Sequence, residues 1–212
     1  MMEGSRSEAG QLYTLEGLAA AAVLLLAMTY ALNAFVVSPT SDVNPGTETN
    51  QRVAEDLLEN AVNNNATGTN NTKLKEMLLN WNATAGSVGF KNSTDGVYYY
   101  EGQDPDPAGL DFGKDLQNVL TEEGVSYNVE GIFRKGNSST GRVQIVDRGE
   151  PTTSALSASR TVVLLDSDNV TKTTSPGNRV NLSTTDRYPI PKDPSRTTDV
   201  YNQVQVRITV WT

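Results

Sequence analysis

The fold is decided by the C-terminal stretch YNQVQVRITVW, residues 201–211, in which apolar and polar residues alternate. The apolar members are Val204, Val206, Ile208 and Val210, and the polar members between them are Gln203, Gln205, Arg207 and Thr209. Because successive side chains of a β-strand point to opposite faces of its sheet, this pattern predicts a strand with one buried face and one face in water.

Further strands are predicted before this stretch by short β-branched and aromatic runs separated by Gly, Pro, Asn and Ser turns. They cover residues 125–133, 142–146, 160–165 and 180–182. Since strands and helices do not alternate along this part of the chain, we predict an α+β fold with an antiparallel sheet.

Three short helices are predicted ahead of these strands. The apolar residues of the first recur at helical spacing and are Val53, Leu57, Leu58, Ala61 and Val62. Their pattern predicts an amphipathic helix over residues 48–63. Residues 73–81 and 110–123 predict two more helices, the last of which ends at Gly124. The Asn- and Thr-rich run over residues 63–72 predicts a mobile loop.

Composition excludes several classes of site. The 212 residues contain no Cys and no His, which removes disulfides, thiolate zinc sites and imidazole chemistry. There are 25 acidic and 17 basic side chains, a net charge of −8. Nucleic acid is therefore not expected as a partner, because phosphate binding requires a basic face. The excess of acid favours a protein kept soluble in strong salt, as in a halophile.

An uncharged apolar run of 21 residues, GLAAAAVLLLAMTYALNAFVV, occupies residues 17–37. As a helix it would be about 31 Å long, which matches the hydrocarbon core of a bilayer. We therefore predict a long N-terminal hydrophobic helix, transmembrane or in a filament core, followed by an extracellular head. A cleaved signal peptide is the alternative, although its apolar region is usually shorter and its start basic. The predicted bounds are leader-like segment 1–11, helix 12–37, stalk 38–49 and α+β head 50–212.

Two features of this run suggest helix packing. Glu16 lies at its N-terminal edge, where a carboxylate near hydrocarbon needs a partner or must reach the interface. A stripe of mostly small residues at spacings of three and four follows, comprising Gly17, Ala20, Leu24, Ala27, Ala31 and Ala34. Small residues on one helix face let helices approach closely in lipid, although an Ala-rich run also produces such stripes by chance.

The stretch GQLYTLEG, residues 10–17, followed at once by the apolar run, resembles the N-terminus of type IV pilin-like membrane proteins of halophilic archaea. The resemblance implies removal of a polar leader by a prepilin-type peptidase, after Gly10 or after Gln11, so that the mature chain begins at Gln11 or Leu12. It also implies that Glu16 registers subunits and that the apolar helices pack together. The implied partners are membrane lipid, other pilin-like subunits and the assembly machinery.

The distribution of basic residues and glycosylation motifs predicts orientation. Arg6 precedes the apolar run and the next basic residue is Arg52, so the positive-inside rule leaves the N-terminus in the cytoplasm. Seven Asn-x-Ser/Thr motifs, all after the apolar run, agree with an extracellular, glycosylated head. Their asparagines are Asn65, Asn70, Asn82, Asn92, Asn137, Asn169 and Asn181. Covalent glycans are expected at some of these sites.

The acidic residues do not predict an enzyme. They cluster at Asp104 with Asp106, Asp111 with Asp115, Glu122 with Glu123, and Asp166 with Asp168. Such residues usually form turns or stay solvated, so no catalytic residue and no cofactor is expected. Asp166, Asp168 and Asn169 form a candidate calcium site, with a tight Asx turn as the alternative. The aromatic residues Tyr98, Tyr99, Tyr100 and Trp211 suggest either an exposed contact surface or half-buried strand positions.

These observations predict a type IV pilin-like structural subunit of the cell surface, with a minor subunit favoured over a major one. It would assemble through the N-terminal helix and display a glycosylated head. The alternative is a membrane-anchored binding module that recognises a glycan or a protein through its head. A secreted enzyme released by ordinary signal cleavage is the third hypothesis.

Overall fold

The structure, a computed structural model, describes residues 45–84, 87–90, 98–99, 110–136, 139–171, 179–194 and 198–212, together with residues 20, 21 and 23. The chain divides into two compact units, Met1–Asp42 and Val43–Thr212. The second unit contains the predicted sheet and short helices, and the name head refers to it from here on.

A five-stranded sheet organises the head, with strand order β3-β5-β4-β9-β6. Its strands are β3 (Tyr98–Tyr99), β4 (Ser126–Arg134), β5 (Thr140–Asp147), β6 (Leu156–Leu165) and β9 (Val200–Trp211). Strands β5, β4, β9 and β6 pair antiparallel, and the short β3 pairs parallel to β5. The predicted α+β class with an antiparallel sheet is confirmed, and the alternating stretch over residues 201–211 lies in β9, between β4 and β6.

One face of the sheet, which we call the inner face, forms the core. Val204, Val206, Ile208 and Val210 of β9 are all fully buried, as the alternation predicts. Val206 lies opposite Gly131 of β4. A Cβ on Gly131 would approach the Val143 and Val204 methyl carbons to 3.1 and 3.2 Å, so the packing here leaves little room for a side chain.

Three helices cover the head sheet: α1 (Pro45–Asn63), α2 (Lys73–Leu79) and α3 (Asp111–Leu116), which continues as a π-helical turn over Gln117–Thr121. Helix α1 packs on β6 and β9 and buries Ala54, Leu58 and Ala61 completely. Burial of this apolar stripe, at about 25 cal/mol per Å² of apolar surface, stabilises the contact between helix and sheet. The head is therefore a two-layer structure with its core between α1 and the inner face.

Two small ribbons flank the core. Strand β1 (Trp81–Thr84) pairs with β2 (Ser87–Phe90), and β7 (Asn169–Thr171) pairs with β8 (Arg179–Asn181). The predicted helix over residues 73–81 ends at Leu79, and Trp81 belongs to β1 instead. The Trp81 ring packs edge-on against Phe90 at 5.0 Å, and its Nε1 donates a 2.7 Å hydrogen bond to the Arg187 carbonyl. These long-range contacts outweigh the local helical pattern.

The run over residues 63–72 differs from the predicted mobile loop, because it is a hydrogen-bonded turn. The Ala66 amide donates to the Asn71 carbonyl at 2.8 Å, and Gly68 supplies the left-handed backbone at φ +77°. Thr67 donates from its amide and its hydroxyl to Asp111 Oδ2, at 2.6 and 2.7 Å. These two hydrogen bonds lower the pKa of Asp111 and tie the turn to the start of α3.

The predicted N-terminal helix requires a correction. No helix in the part of the chain that the structure describes is long and apolar enough to cross a membrane. Of the predicted span 12–37, only Ala20, Ala21 and Val23 are described, with helical backbone. The fold class is accordingly an α+β head, and the long transmembrane helix is withdrawn from it. Helix α1 begins at Pro45, inside the range predicted as stalk, because proline is tolerated in the first turn.

Candidate functional site

Most residues predicted to act at the N-terminus lie outside the described residues. These are the leader positions Gly10, Gln11 and Leu12, the acid Glu16, and the small residues Gly17, Leu24, Ala27, Ala31 and Ala34. Ala20 is described and is exposed.

The glycosylation motifs fall into three groups. Asn65, Asn70 and Asn181 are exposed and Asn169 is half-buried. Asn82 in β1 is only 9% exposed, so its amide nitrogen is sterically shielded in the folded head. Asn92 and Asn137 lie outside the described residues. The sequence motif alone could not separate these groups, because burial depends on β1 pairing with β2.

The two carboxylates of the candidate calcium site, Asp166 and Asp168, each form an ion pair with a lysine. Lys192 Nζ contacts Asp166 Oδ2, and Lys75 Nζ lies 2.7 Å from Asp168 Oδ2. Asp168 Oδ2 also accepts the Leu165 amide at 2.7 Å, and the Asp168 amide donates to the Leu165 carbonyl at 3.0 Å. This is a turn closed from both ends, and it differs from the predicted Asx turn because the side chain bonds three residues back rather than two residues on. Among the described residues, no three acidic side chains converge to hold a metal ion. The two carboxylates thus already have lysine partners.

The other acidic residues are also accounted for by turns and ion pairs, where they are described. Asp115 Oδ2 lies 2.8 Å from Lys73 Nζ, and Glu122 and Glu123 are exposed after the π-helical turn. Asp104 and Asp106 lie outside the described residues.

Trp211 is buried, which agrees with a strand position rather than an exposed contact surface. Tyr98 and Tyr99 form β3, and Tyr100 lies outside the described residues.

An open groove of about 500 Å³ lies between the three helices. Its lining combines the apolar Val53, Leu57 and Val119 with the polar Asp56, Asn60, Lys73 and Asp115. Lys73 Nζ lies 2.8 Å from Asp115 Oδ2 and 3.4 Å from Asn60 Oδ1. This lining offers both apolar surface and charged groups to a small ligand.

The exposed side of α1 carries a row of charges, which we call the acidic row: Glu48, Arg52, Asp56 and Glu59. At 100° per residue Glu48, Arg52 and Asp56 lie opposite the buried Ala54, Leu58 and Ala61, so this part of the row points away from the sheet. Glu59 Oε2 accepts from Arg160 Nε at 2.9 Å, and the hydrogen bond lowers the pKa of Glu59. Because Arg160 compensates Glu59, the two carboxylates Glu48 and Asp56 against the single guanidinium of Arg52 leave the row net negative.

The side of the sheet away from α1, which we call the outer face, has the opposite charge balance. Glu130 of β4 lies between two arginines, 3.6 Å from Arg142 Nη1 of β5 and 3.2 Å from Arg207 Nη1 of β9. Arg134 continues the same side of β4 and is exposed beside a shallow depression of about 330 Å³. Glu130 is only 16% exposed, whereas Arg142 is 66% exposed. This part of the outer face is therefore net positive.

The sequence predicted that Arg207 faces water but did not predict this ladder. Glu130 meets Arg207 because those residues are paired in the β4–β9 register, and Arg142 reaches Glu130 diagonally from β5. Register depends on strand pairing across more than 70 residues of sequence, and a local pattern does not contain it.

Comparison with known proteins places the chain in a family without giving it a function. No curated protein and no solved structure matches the chain. One family model, described as a family of unknown function (DUF7288), matches residues 9–210 and so includes the apolar run and the head. The chain therefore belongs to this family of unknown function, DUF7288.

Proposed function

We propose that this protein is a structural subunit of the cell surface, similar to type IV pilin-like proteins. It assembles through its apolar N-terminal segment, residues 17–37, and displays its head outside the cell. The observation that carries the proposal is the 21-residue uncharged segment placed directly after Glu16. An apolar segment of this length is unfavourable in water, so it must be covered by lipid or by other subunits.

Glu16 is the residue proposed to register the subunits. A carboxylate at the edge of an apolar environment is stabilised when it finds a positive partner. If the leader is removed, the new N-terminal amine of a neighbouring subunit supplies that charge. The small residues Gly17, Ala20, Ala27, Ala31 and Ala34 then allow neighbouring segments to approach closely.

Exposed glycosylation motifs on the head support its proposed display outside the cell. Asn65, Asn70 and Asn181 expose their side chains, so glycans could be attached there without unfolding the head. We favour a minor subunit, because the head is large and rich in loops.

Replacement of Glu16 by Gln tests the proposal. The variant should fail to enter surface filaments, while thermal unfolding of the head stays unchanged. Glu8→Gln is the matched control, because it removes an acid from the predicted leader and should leave incorporation intact. Incorporation of Glu16→Gln at the level of the parent chain would overturn the assembly role.

A second candidate function is a binding module held at the cell surface, which the groove of about 500 Å³ between the helices favours. An exchange of residues 17–37 for a polyleucine run separates the two functions. Binding through the head should survive this exchange, whereas assembly through the small-residue stripe should be lost.

A further inference from the structure

The two layers of the head carry opposite charge on their outward sides. The acidic row is net negative, with Glu48 and Asp56 against Arg52, while Glu59 is paired with Arg160. The outer face around Glu130 is net positive, although the whole chain carries a net charge of −8. Arg160 pairs with Val206 in the sheet, so its side chain lies on the inner face, where it contacts Glu59 of α1. Helix α1 and the outer face are therefore on opposite sides of the sheet.

The charges also match in order and spacing. Along α1 the order is acid, base, acid at Glu48, Arg52 and Asp56, with steps of four residues or about 6 Å. Across the sheet the order is base, acid, base at Arg142, Glu130 and Arg207. The steps between these strand residues are about 5 Å for a direct pair and about 7 Å for a diagonal pair.

We propose that the acidic row of one copy of this chain docks across the outer face of the next copy. Arg52 then faces Glu130, while Glu48 and Asp56 face the two arginines that flank it. This inference rests on the proposed function, for which it names the contact between heads. Each head offers both surfaces on opposite sides, so the contact is heterologous, and repeating it adds copies in a row rather than closing a dimer.

The charge pattern selects a second copy over other partners. Arg134 and Arg142 would attract an anionic polymer electrostatically, but Glu130 at the centre of the outer face would repel it. A helix with one cation between two acids satisfies all three charges at once, and electrostatic complementarity of this kind fixes register and partner. The chain carries such a helix at the correct spacing.

Charge exchange tests the docking in the full chain. The first variant, Glu48→Arg with Asp56→Arg, reverses the acidic row. The second, Arg142→Glu with Arg207→Glu, reverses the two arginines that flank Glu130, whose side chains are 66% and 32% exposed. Glu122→Arg with Glu123→Arg is the control, because it makes the same change in net charge as the first variant at another exposed site. Sedimentation velocity measures self-association, and thermal melts establish that each variant is folded.

Each reversed variant alone should lose self-association by at least about tenfold, while the control matches the parent. An equal mixture of the two variants, or one chain carrying all four reversals, should recover association, because opposite charges then meet again. If the parent associates and neither reversal weakens it, the docking is overturned while the assembly function stands. Weakening by the arginine reversals alone would overturn it in favour of an anionic partner. A parent chain that stays monomeric would overturn both.

Discussion

The stability of the head is predicted to depend strongly on Asn202. Its side chain is 0% exposed, and its Nδ2 donates to the Arg134 carbonyl at 2.9 Å and the Pro191 carbonyl at 2.8 Å. Its Oδ1 accepts the Gln203 amide at 2.8 Å and, over a longer distance, the Arg134 amide at 3.4 Å. Asn202→Ala removes all four hydrogen bonds, and the three shorter ones alone, at about 1 kcal/mol each, give a loss of about 3 kcal/mol. For a domain of this size, the melting temperature should fall by about 6 to 12 °C.

Urea unfolding followed by tryptophan fluorescence measures this loss directly. The matched control is Asn128→Ala on the neighbouring strand, since Asn128 makes a similar pair of bonds, to the Gly149 carbonyl and the Arg148 amide, but is only half-buried. Water can replace those bonds, so the control should lose less than about 1 kcal/mol. The reasoning is refuted if Asn202→Ala destabilises the head no more than Asn128→Ala does.

Three further predictions concern modification and pH. Peptide mass spectrometry of the native protein should find Asn82 without a glycan, whereas one or more of the exposed Asn65, Asn70 and Asn181 carry one; a glycan on Asn82 would contradict the burial. Burial raises the pKa of Tyr188 well above its usual value, so the stability that the neutral side chain contributes is complete below about pH 10 and is lost as the pH rises further. The absorbance at 295 nm that reports tyrosine ionisation should therefore rise for Tyr188 only when the head unfolds. Hydrogen bonds from Thr67 lower the pKa of Asp111, so its contribution is present above the unfolded pKa of about 3.9 and is lost as the pH falls through the lower folded value. The difference in melting temperature between the parent and Asp111→Asn should therefore shrink in acid, and a constant difference would contradict the assignment.

Local pattern predicted those parts of the head in which one side of an element is buried. The alternation in β9 and the helical spacing in α1 each identify the buried face without knowledge of the partner, because the core covers one side of each element. The same reasoning placed the boundary of α1 within three residues of Pro45.

Features that depend on distant contacts were not predictable in this way. Trp81 lies outside its predicted helix because its indole ring packs against Phe90 and donates a hydrogen bond to the Arg187 carbonyl. The acidic row could be read along one helix, but its partner surface could not, since Arg142, Glu130 and Arg207 come from three strands. The composition of residues 63–72 predicted a mobile loop, whereas Thr67 in this turn donates two hydrogen bonds to Asp111, 44 residues further along the chain.

The central claim, that this chain is a processed and assembling surface subunit, is tested most directly by its N-terminus. Intact mass and N-terminal sequencing of the protein purified from its native surface fraction give the answer in one experiment. The account predicts a chain that starts at Gln11 or Leu12, keeps residues 17–37 and places Glu16 at the fifth or sixth position. A chain that starts at Met1 or Met2, or one that starts after Ala31, would contradict it.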